Sequence, residues 1–357
     1  MKGEKLCRFI WLHIPMKPWK REYDRFLYAR LKSQKNYLRL RNEMQRIYEN
    51  SPVLQKYSWE KISGDYHKCY VLFGTEPEDY SSFEFVDKSW RDRSHHVTRI
   101  RLNYLRTVLN TGNQELLNDK VLFNTHWENY LKRSWCDISK VSKEEFLALF
   151  QDKDRLVIKT KTGSGGHGVE VWEAIQKESK EELYARLKER EDGCLVEEYY
   201  HQKGFLHELN PSSLNTVRVC TIRNQEKIEV IFAYLRCGIE GAVIDNLHSG
   251  GIRFPLDVRN GILHSGQSYS RSHIETHPTS GIRVSGQTIP NWDNVKKLCI
   301  EAHEMAPETL NFIGWDVCVS ENEILLIEGN ACPGFPPTLG PGDNMWKRVR
   351  KILNSRS

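Results

Sequence analysis

Ile313-Gly314-Trp315-Asp316-Val317-Cys318-Val319, a polar Ser320-Glu321-Asn322, and then Ile324-Leu325-Leu326-Ile327-Glu328-Gly329-Asn330 decide how this chain is read. Two apolar runs about a polar turn form an antiparallel hairpin. Side chains alternate along a strand, so Glu328 and Asn330 share one face. A turn pairing residue 314 with 328 makes Asp316 their diagonal neighbour, whereas a slip of one residue would turn Asp316 away. Two carboxylates and an amide oxygen are hard donors, suited to a divalent cation such as Mg2+ that keeps several waters and bridges to nucleotide phosphates. The competing reading is a surface hairpin carrying ordinary charges, against which stands the rarity of Asp and Glu within strands.

The chain has 357 residues, 39% of them hydrophobic, with ten Trp, which is enough for two or three packed lobes. Its nine cysteines include no Cys-x-x-Cys pair and lie mostly in apolar segments, against a zinc site or a disulfide framework. The longest candidate targeting stretch, Phe9 to Ile14, is too short to span a bilayer. These features imply a cytoplasmic protein.

Net charge is +5, but residues 1–60 hold 14 Lys and Arg against 6 Asp and Glu, and the other 297 residues hold 38 against 41. The basicity is therefore local. Trp19 to Asn50 reads as one basic amphipathic helix, either a solvated face packed on its own domain or a contact to an acidic partner or the inner membrane face. Nucleic-acid binding has only this basic terminus to support it, without a recognised motif, and is not expected.

The fold class expected is α+β, with a largely helical region at 1–112, a central subdomain at 113–193 and a carboxyl-terminal lobe at 194–357. Strand-like runs begin at Leu156 and recur at Val169, Cys194, Asn215, Lys227 and Gly250, interrupted by helices over Lys180 to Glu191 and Asp293 to Ala306. Gly163-Ser164-Gly165-Gly166-His167-Gly168 contains the spacing of a dinucleotide-binding loop. That loop must lead into a helix, and here the alternating strand Val169-Glu170-Val171-Trp172 follows, so the glycines form the tip of a hairpin whose N–H groups can fold over phosphates. No Gly-Lys-Ser/Thr ends the loop, and neither His-Arg-Asp nor Asp-Phe-Gly occurs, which excludes a Walker loop and the protein-kinase signature.

Asp119-Lys120, Val157-Ile158-Lys159, the glycine loop, Leu195-Val196-Glu197-Glu198 and finally Asp316 with Glu328 and Asn330 form an ordered set that resembles the ATP-grasp superfamily. Asn215-Thr216-Val217-Arg218-Val219-Cys220-Thr221 and Asp245-Asn246-x-x-x-Gly250-Gly251-Ile252 resemble its sugar-transfer associated branch, related to teichuronopeptide-biosynthesis and α-L-glutamate-ligase-like proteins. The resemblance implies two α+β lobes clamping ATP, and Mg2+, as two ions, with Mn2+ an alternative. In that frame ATP is held by Lys120, Lys159, Gly163, Ser164, Gly165, Gly166, Gly168, the hinge Glu197, Glu198 and Tyr199, and Glu208 at the ribose. Asn215, Arg218, Asp245, Asn246, His248, Gly250 and Gly251 are the implied substrate-binding residues, and Asp316, Glu328 and Asn330 the metal ligands. Catalysis is assigned to Lys159 and to Arg218, a planar guanidinium able to pair two oxygens at once.

The activity implied is joining a carboxylate to an amine through an acylphosphate, with a sugar acid, amino acid or surface-polysaccharide precursor as one substrate, free or linked to a saccharide. A kinase phosphorylating a hydroxyl and an inactive nucleotide-binding scaffold are the alternatives.

Overall fold

The structure is a computed structural model that describes residues 18–31, 34–163, 168–175, 178–239, 251–268, 273–335 and 344–355. Ser164, Gly165, Gly166 and His167 of the glycine loop, and Asp245, Asn246, His248 and Gly250, lie outside the described residues. The chain divides into two compact units, Met1–Thr111 with Arg223–Lys227 and Gly334–Ser357, and Gly112–Ile222 with Ile228–Pro333.

The first unit is helical, with long helices over Pro18–Leu31, Gln34–Glu49, Trp59–Phe73, Arg99–Leu109 and Met345–Ser355. The segment expected to be a basic helix from Trp19 to Asn50 is helical over Pro18–Leu31 and Gln34–Glu49, with the two residues between them outside the described residues. Its apolar side faces inward, burying Tyr23 and Leu27 from the first stretch and Leu40 and Met44 from the second. Leu38, expected on the apolar face, is 49% exposed. Tyr66, Tyr80 and Phe85 form an edge-to-face chain beside the buried Arg93, whose guanidinium pairs with Asp65 at 2.8 Å. No helix among the described residues is long and apolar enough to cross a membrane.

The second unit contains two antiparallel sheets. The smaller comprises β1 (Trp135–Asp137), β2 (Arg155–Lys159), β3 (Val169–Glu173) and β4 (Leu195–Glu198), in the order β1-β4-β2-β3. Helices Lys143–Leu149 and Lys180–Lys188 cover one face, each opened by a reciprocal cap, Ser142 with Glu145 and Ser179 with Glu182. Alternation divides the strands: Leu156, Ile158 and Val196 join Phe146, Phe150, Leu183 and Leu187 in the core, so Val157, Lys159, Leu195 and Glu197 take the opposite face.

The larger sheet comprises β5 (Thr216–Asn224), β6 (Lys227–Cys237), β7 (Ile252–Leu256), β8 (Phe312–Val319) and β9 (Ile324–Asn330), in the order β7-β6-β5-β8-β9. Val217, Val219, Trp315, Val317 and Leu326 pack with Trp127 and with Val295, Cys299 and Ala302 of helix Trp292–Glu304. Arg218 and Asp316, each one residue out of phase with that core, take the other face and stand opposite one another across β5 and β8.

Candidate active site

The hairpin forms as the sequence predicts, but its register differs. Ser320 donates its N–H to Glu323 at 2.9 Å, and Val319, Cys318 and Val317 pair with Ile324, Leu325 and Leu326. Continued unbroken, that register would set Asp316 opposite Ile327 and send Glu328 into the core face. A β-bulge intervenes. Ile327 is left without a partner, Asp316 pairs with Glu328, and Gly314 pairs with Asn330. The pairing of residues 314 and 328 expected from sequence is thus displaced by two, an even number that keeps all three polar side chains on one face.

Asp316, 2% exposed, accepts from Arg218 Nε, from Arg218 Nη2 at 2.8 Å and from Arg236 Nη1 at 2.7 Å. Burial would raise its carboxyl, but these two guanidiniums outweigh burial and hold it well below the usual carboxylate range. Glu328 responds oppositely: burial, then the charge of Asp316 opposite it, push its pKa up. Asn330 Nδ2 lies 3.4 Å from Glu328 Oε1.

A second buried cluster is centred on Glu197, whose carboxylate accepts from Arg133 Nη2 at 2.8 Å, Asn124 Nδ2 at 2.8 Å and Lys159 Nζ at 2.5 Å. Here too burial is overcome by the cations, Arg133 before Lys159, and the carboxyl is held far below its ordinary value. Lys120 begins helix Lys120–His126, capped by Asp119 Oδ1 on the N–H groups of Val121 and Leu122 at 2.8 and 3.0 Å. Its ammonium reaches Gly163 O at 2.9 Å, and burial followed by the nearby Lys159 lowers its pKa against the pull of Glu328.

These clusters border one cleft. Lys120, Lys159, Glu197, Glu328 and Asn330 line one part of it. Lys159, Glu197 and Glu328 are shared with an adjoining part lined by Val157, Val171, Tyr199, Tyr200, Arg236 and Asp316. Both parts mix apolar and charged walls, and Tyr199, Tyr200, Val157 and Val171 give the adjoining part an apolar and aromatic side beside its charged one. Gly163 and Gly168 flank the glycine loop with φ of +113° and +74°, and β3 follows it in register, Lys159 opposite Val169, as the hairpin reading requires.

The structure places the other sequence candidates as follows. Glu197 lines the cleft, pairs with Trp135 on one side and Val157 on the other, and anchors Lys159 with its side chain. The N–H groups of Glu198 and Tyr199 are donated to Ser134 and Arg155 at 2.8 and 3.1 Å. Glu208 is exposed on the short helix Phe205–Leu209 and lines neither part of the cleft. Asn215 is fully buried, its amide donating to Leu206 O and Asn210 O at 2.7 and 3.0 Å, so it ties a loop together rather than facing a substrate. Gly251 is buried ahead of β7.

Arg218 spends two N–H groups on Asp316 beneath the cleft, whereas Arg236, which sequence reading passes over, lines it. A faint signal exists, since Arg236 interrupts the apolar end of β6 directly after the run Val230 to Leu235. Arg133 and Asn124 carry no sequence signal of their role.

Among the described residues no three His, Cys, Asp or Glu side chains gather as a metal site. The donor set that fits a cation is two carboxylates with the Asn330 amide. Glu328 stands opposite Asp316 in the ladder, and Asn330 shares their face.

Residues 100–354 match the model of the sugar-transfer associated ATP-grasp family. A comparison with curated proteins finds no match. Similar solved structures include N5-carboxyaminoimidazole synthase from Aspergillus clavatus with ADP and 5-aminoimidazole ribonucleotide, 9% identical over 64% of this chain and 46% of that one, TM-score 0.37. Others are the D-alanine-D-alanine ligase from Coxiella burnetii, at 12%, 71%, 63% and 0.38, and the ATP-grasp ligase PsnB with a precursor peptide and AMPPNP, at 14%, 75%, 70% and 0.40. The chain thus spans less than two thirds of the length of the first two.

Proposed function

Because the chain belongs to the sugar-transfer associated ATP-grasp family and has its α+β fold, we propose that it is an ATP-dependent ligase joining a carboxylate to an amine through an acylphosphate. The observation that carries this reading is the convergence of Lys120, Lys159, Glu328 and Asn330 on one cleft. Adenine occupies the end bordered by Val157, Val171, Tyr199 and Tyr200, and the phosphates extend toward the two lysines. Lysine suits that role as a compact cation with three donors. Gly163 and Gly168 bound the glycine loop, which we assign to the phosphates.

Asp316, Glu328 and Asn330 are the residues that would hold Mg2+, which when bound neutralises charge on the transferred phosphoryl oxygens. The substrate carboxylate forms a bond to the γ-phosphorus as the bond to the β,γ-bridging oxygen breaks and ADP leaves. The amine nitrogen then attacks the acyl carbon, the C–O bond to phosphate breaks, and inorganic phosphate departs with the amide formed and the amine proton released. Arg236, at the cleft wall beside Asp316, is placed to pair with oxygens that gain charge in either step. Exclusion of water matters because water would hydrolyse the mixed anhydride. The family supports a sugar acid, an amino acid or a polysaccharide precursor as a substrate.

The test is incubation with Mg-ATP, hydroxylamine and a panel of sugar acids and amino acids, followed by mass spectrometry. An ATP-dependent hydroxamate is expected. A stable phosphoester would replace the ligase reading with that of a kinase, and no ATP turnover with any acceptor would remove the enzyme reading.

A further inference from the structure

The bulge that brings Glu328 opposite Asp316 needs support from elsewhere, and the structure shows where it comes from. A bulge leaves ladder groups without their usual partners. Arg133, whose side chain is 3% exposed, directs Nη1 to Leu326 O at 2.6 Å and Nη2 to Ile327 O at 3.3 Å, the carbonyls on the two sides of the extra residue. The same Nη2 donates to Glu197 at 2.8 Å, and Glu197 holds Lys159. One planar fork thus joins the backbone of the hairpin to the carboxylate that anchors a lysine of the other sheet. We propose that Arg133 is a positioning residue: it holds the β9 bulge open, thereby setting the face on which Glu328 stands, and couples that hairpin to Lys159 through Glu197.

The physical argument lies in the cost of the alternatives. Without the guanidinium, the buried Leu326 carbonyl and the part-buried Ile327 carbonyl lose a charged donor, and regular pairing, which turns one of two successive carbonyls of the edge strand β9 toward β8, becomes a route to satisfying one of them. Regular pairing continues the register Val317 opposite Leu326, which carries Glu328 to the core face and separates it from Asp316. Lysine cannot replace the fork, because its single ammonium has no two-pronged planar geometry to span adjacent carbonyls and a carboxylate. Arg133 touches no reacting atom in this account. Its influence passes through the backbone of β9 and through Glu197.

The inference rests on the ligase reading only for its consequence at the metal, and the experiment separates the two. Site-resolved amide hydrogen exchange would compare Leu326–Glu328 with the β5–β6 hairpin in the wild type, in Arg133→Lys and in the double variant Arg133→Met/Glu197→Gln. The double variant removes both charges together and so avoids leaving Glu197 buried and unpaired. Exchange at Leu326–Glu328 is expected to quicken by roughly ten-fold or more in both variants, with the β5–β6 amides unchanged. Unchanged exchange at the bulge, or equal acceleration in both hairpins, would overturn the proposal.

Titration with Mn2+ alone, followed by electron paramagnetic resonance, adds the functional readout: Arg133→Lys should weaken Mn2+ binding by about ten-fold while the protein stays folded, a change of about 1.4 kcal/mol. Mn2+ affinity retained in Arg133→Lys would contradict a role at Glu328. A wild type that binds no Mn2+ would instead remove the metal from the ligase reading, leaving the exchange data to decide the role of Arg133 at the bulge.

Discussion

Glu197 in the four-stranded sheet and Asp316 in the five-stranded sheet are both buried carboxylates held by two cations, yet their surroundings differ in one respect. Glu197 is satisfied by Arg133, Lys159 and Asn124. Asp316 faces Arg218 and Arg236 and also a second carboxyl, that of Glu328. The first cluster is closed and positions a lysine. The second sets two carboxyls against one another, the arrangement on which the proposed cation site rests.

Removing Glu197 should have the largest effect on stability. Glu197→Ala leaves Arg133 and Lys159 without their carboxylate in a nearly dry site and is expected to cost about 3–5 kcal/mol by denaturant titration. Glu328→Gln is the counterpart in the other sheet. It removes a carboxyl from opposite a charged one, so stability should change by less than about 1 kcal/mol while Mg2+-dependent nucleotide binding is lost. Equal stability losses in the two variants would erase the distinction between the clusters.

A smaller effect is expected where the hairpin meets the helix bearing Lys120. A Cβ on Gly329 would lie 2.6 Å from Leu117 Cδ2 and 2.9 Å from Phe123 Cε2. Gly329→Ala should therefore cost about 1–3 kcal/mol by overpacking and weaken nucleotide binding by displacing Lys120. A variant with unchanged stability and nucleotide affinity would show that this contact does not position the lysine.

The smallest effect belongs to the helical unit. Burial raises the Asp79 carboxyl to about 7, against the N–H groups of Arg99 and Glu76 that donate to it at 2.7 and 3.0 Å. A folded-state value above the unfolded one means that folding favours the protonated acid. Its contribution is fully present below about pH 4 and is lost as pH rises through about 7. Thermal unfolding of the wild type and of Asp79→Asn over that range should show the slope flattened in the variant.

Much of this fold is legible in the sequence because its strands alternate and its turns are polar. Lys159 and Val157 point away from Leu156 and Ile158 by strand period alone, and the strand after Gly168 correctly denies the dinucleotide loop. The shared face of Asp316, Glu328 and Asn330 is also legible, but the reason for it is not. A bulge depends on which distant donor meets the freed carbonyls, and Arg133 lies 193 residues from Leu326 along the chain. The same limit hides the contacts of Glu197, whose Val-Glu-Glu setting reads as a hinge and whose cationic partners lie far from it along the chain. Arg218 is visible as a motif residue, yet only the register opposite Asp316 shows that two of its N–H groups are already engaged.

The measurement that bears most directly on the central claim is calorimetric titration of the protein with AMPPNP in the presence and absence of Mg2+. The account predicts binding at least about ten-fold tighter with Mg2+, a difference of about 1.4 kcal/mol, and loss of that difference in Glu328→Gln. Equal affinity with and without the ion, or no binding at all, would contradict it.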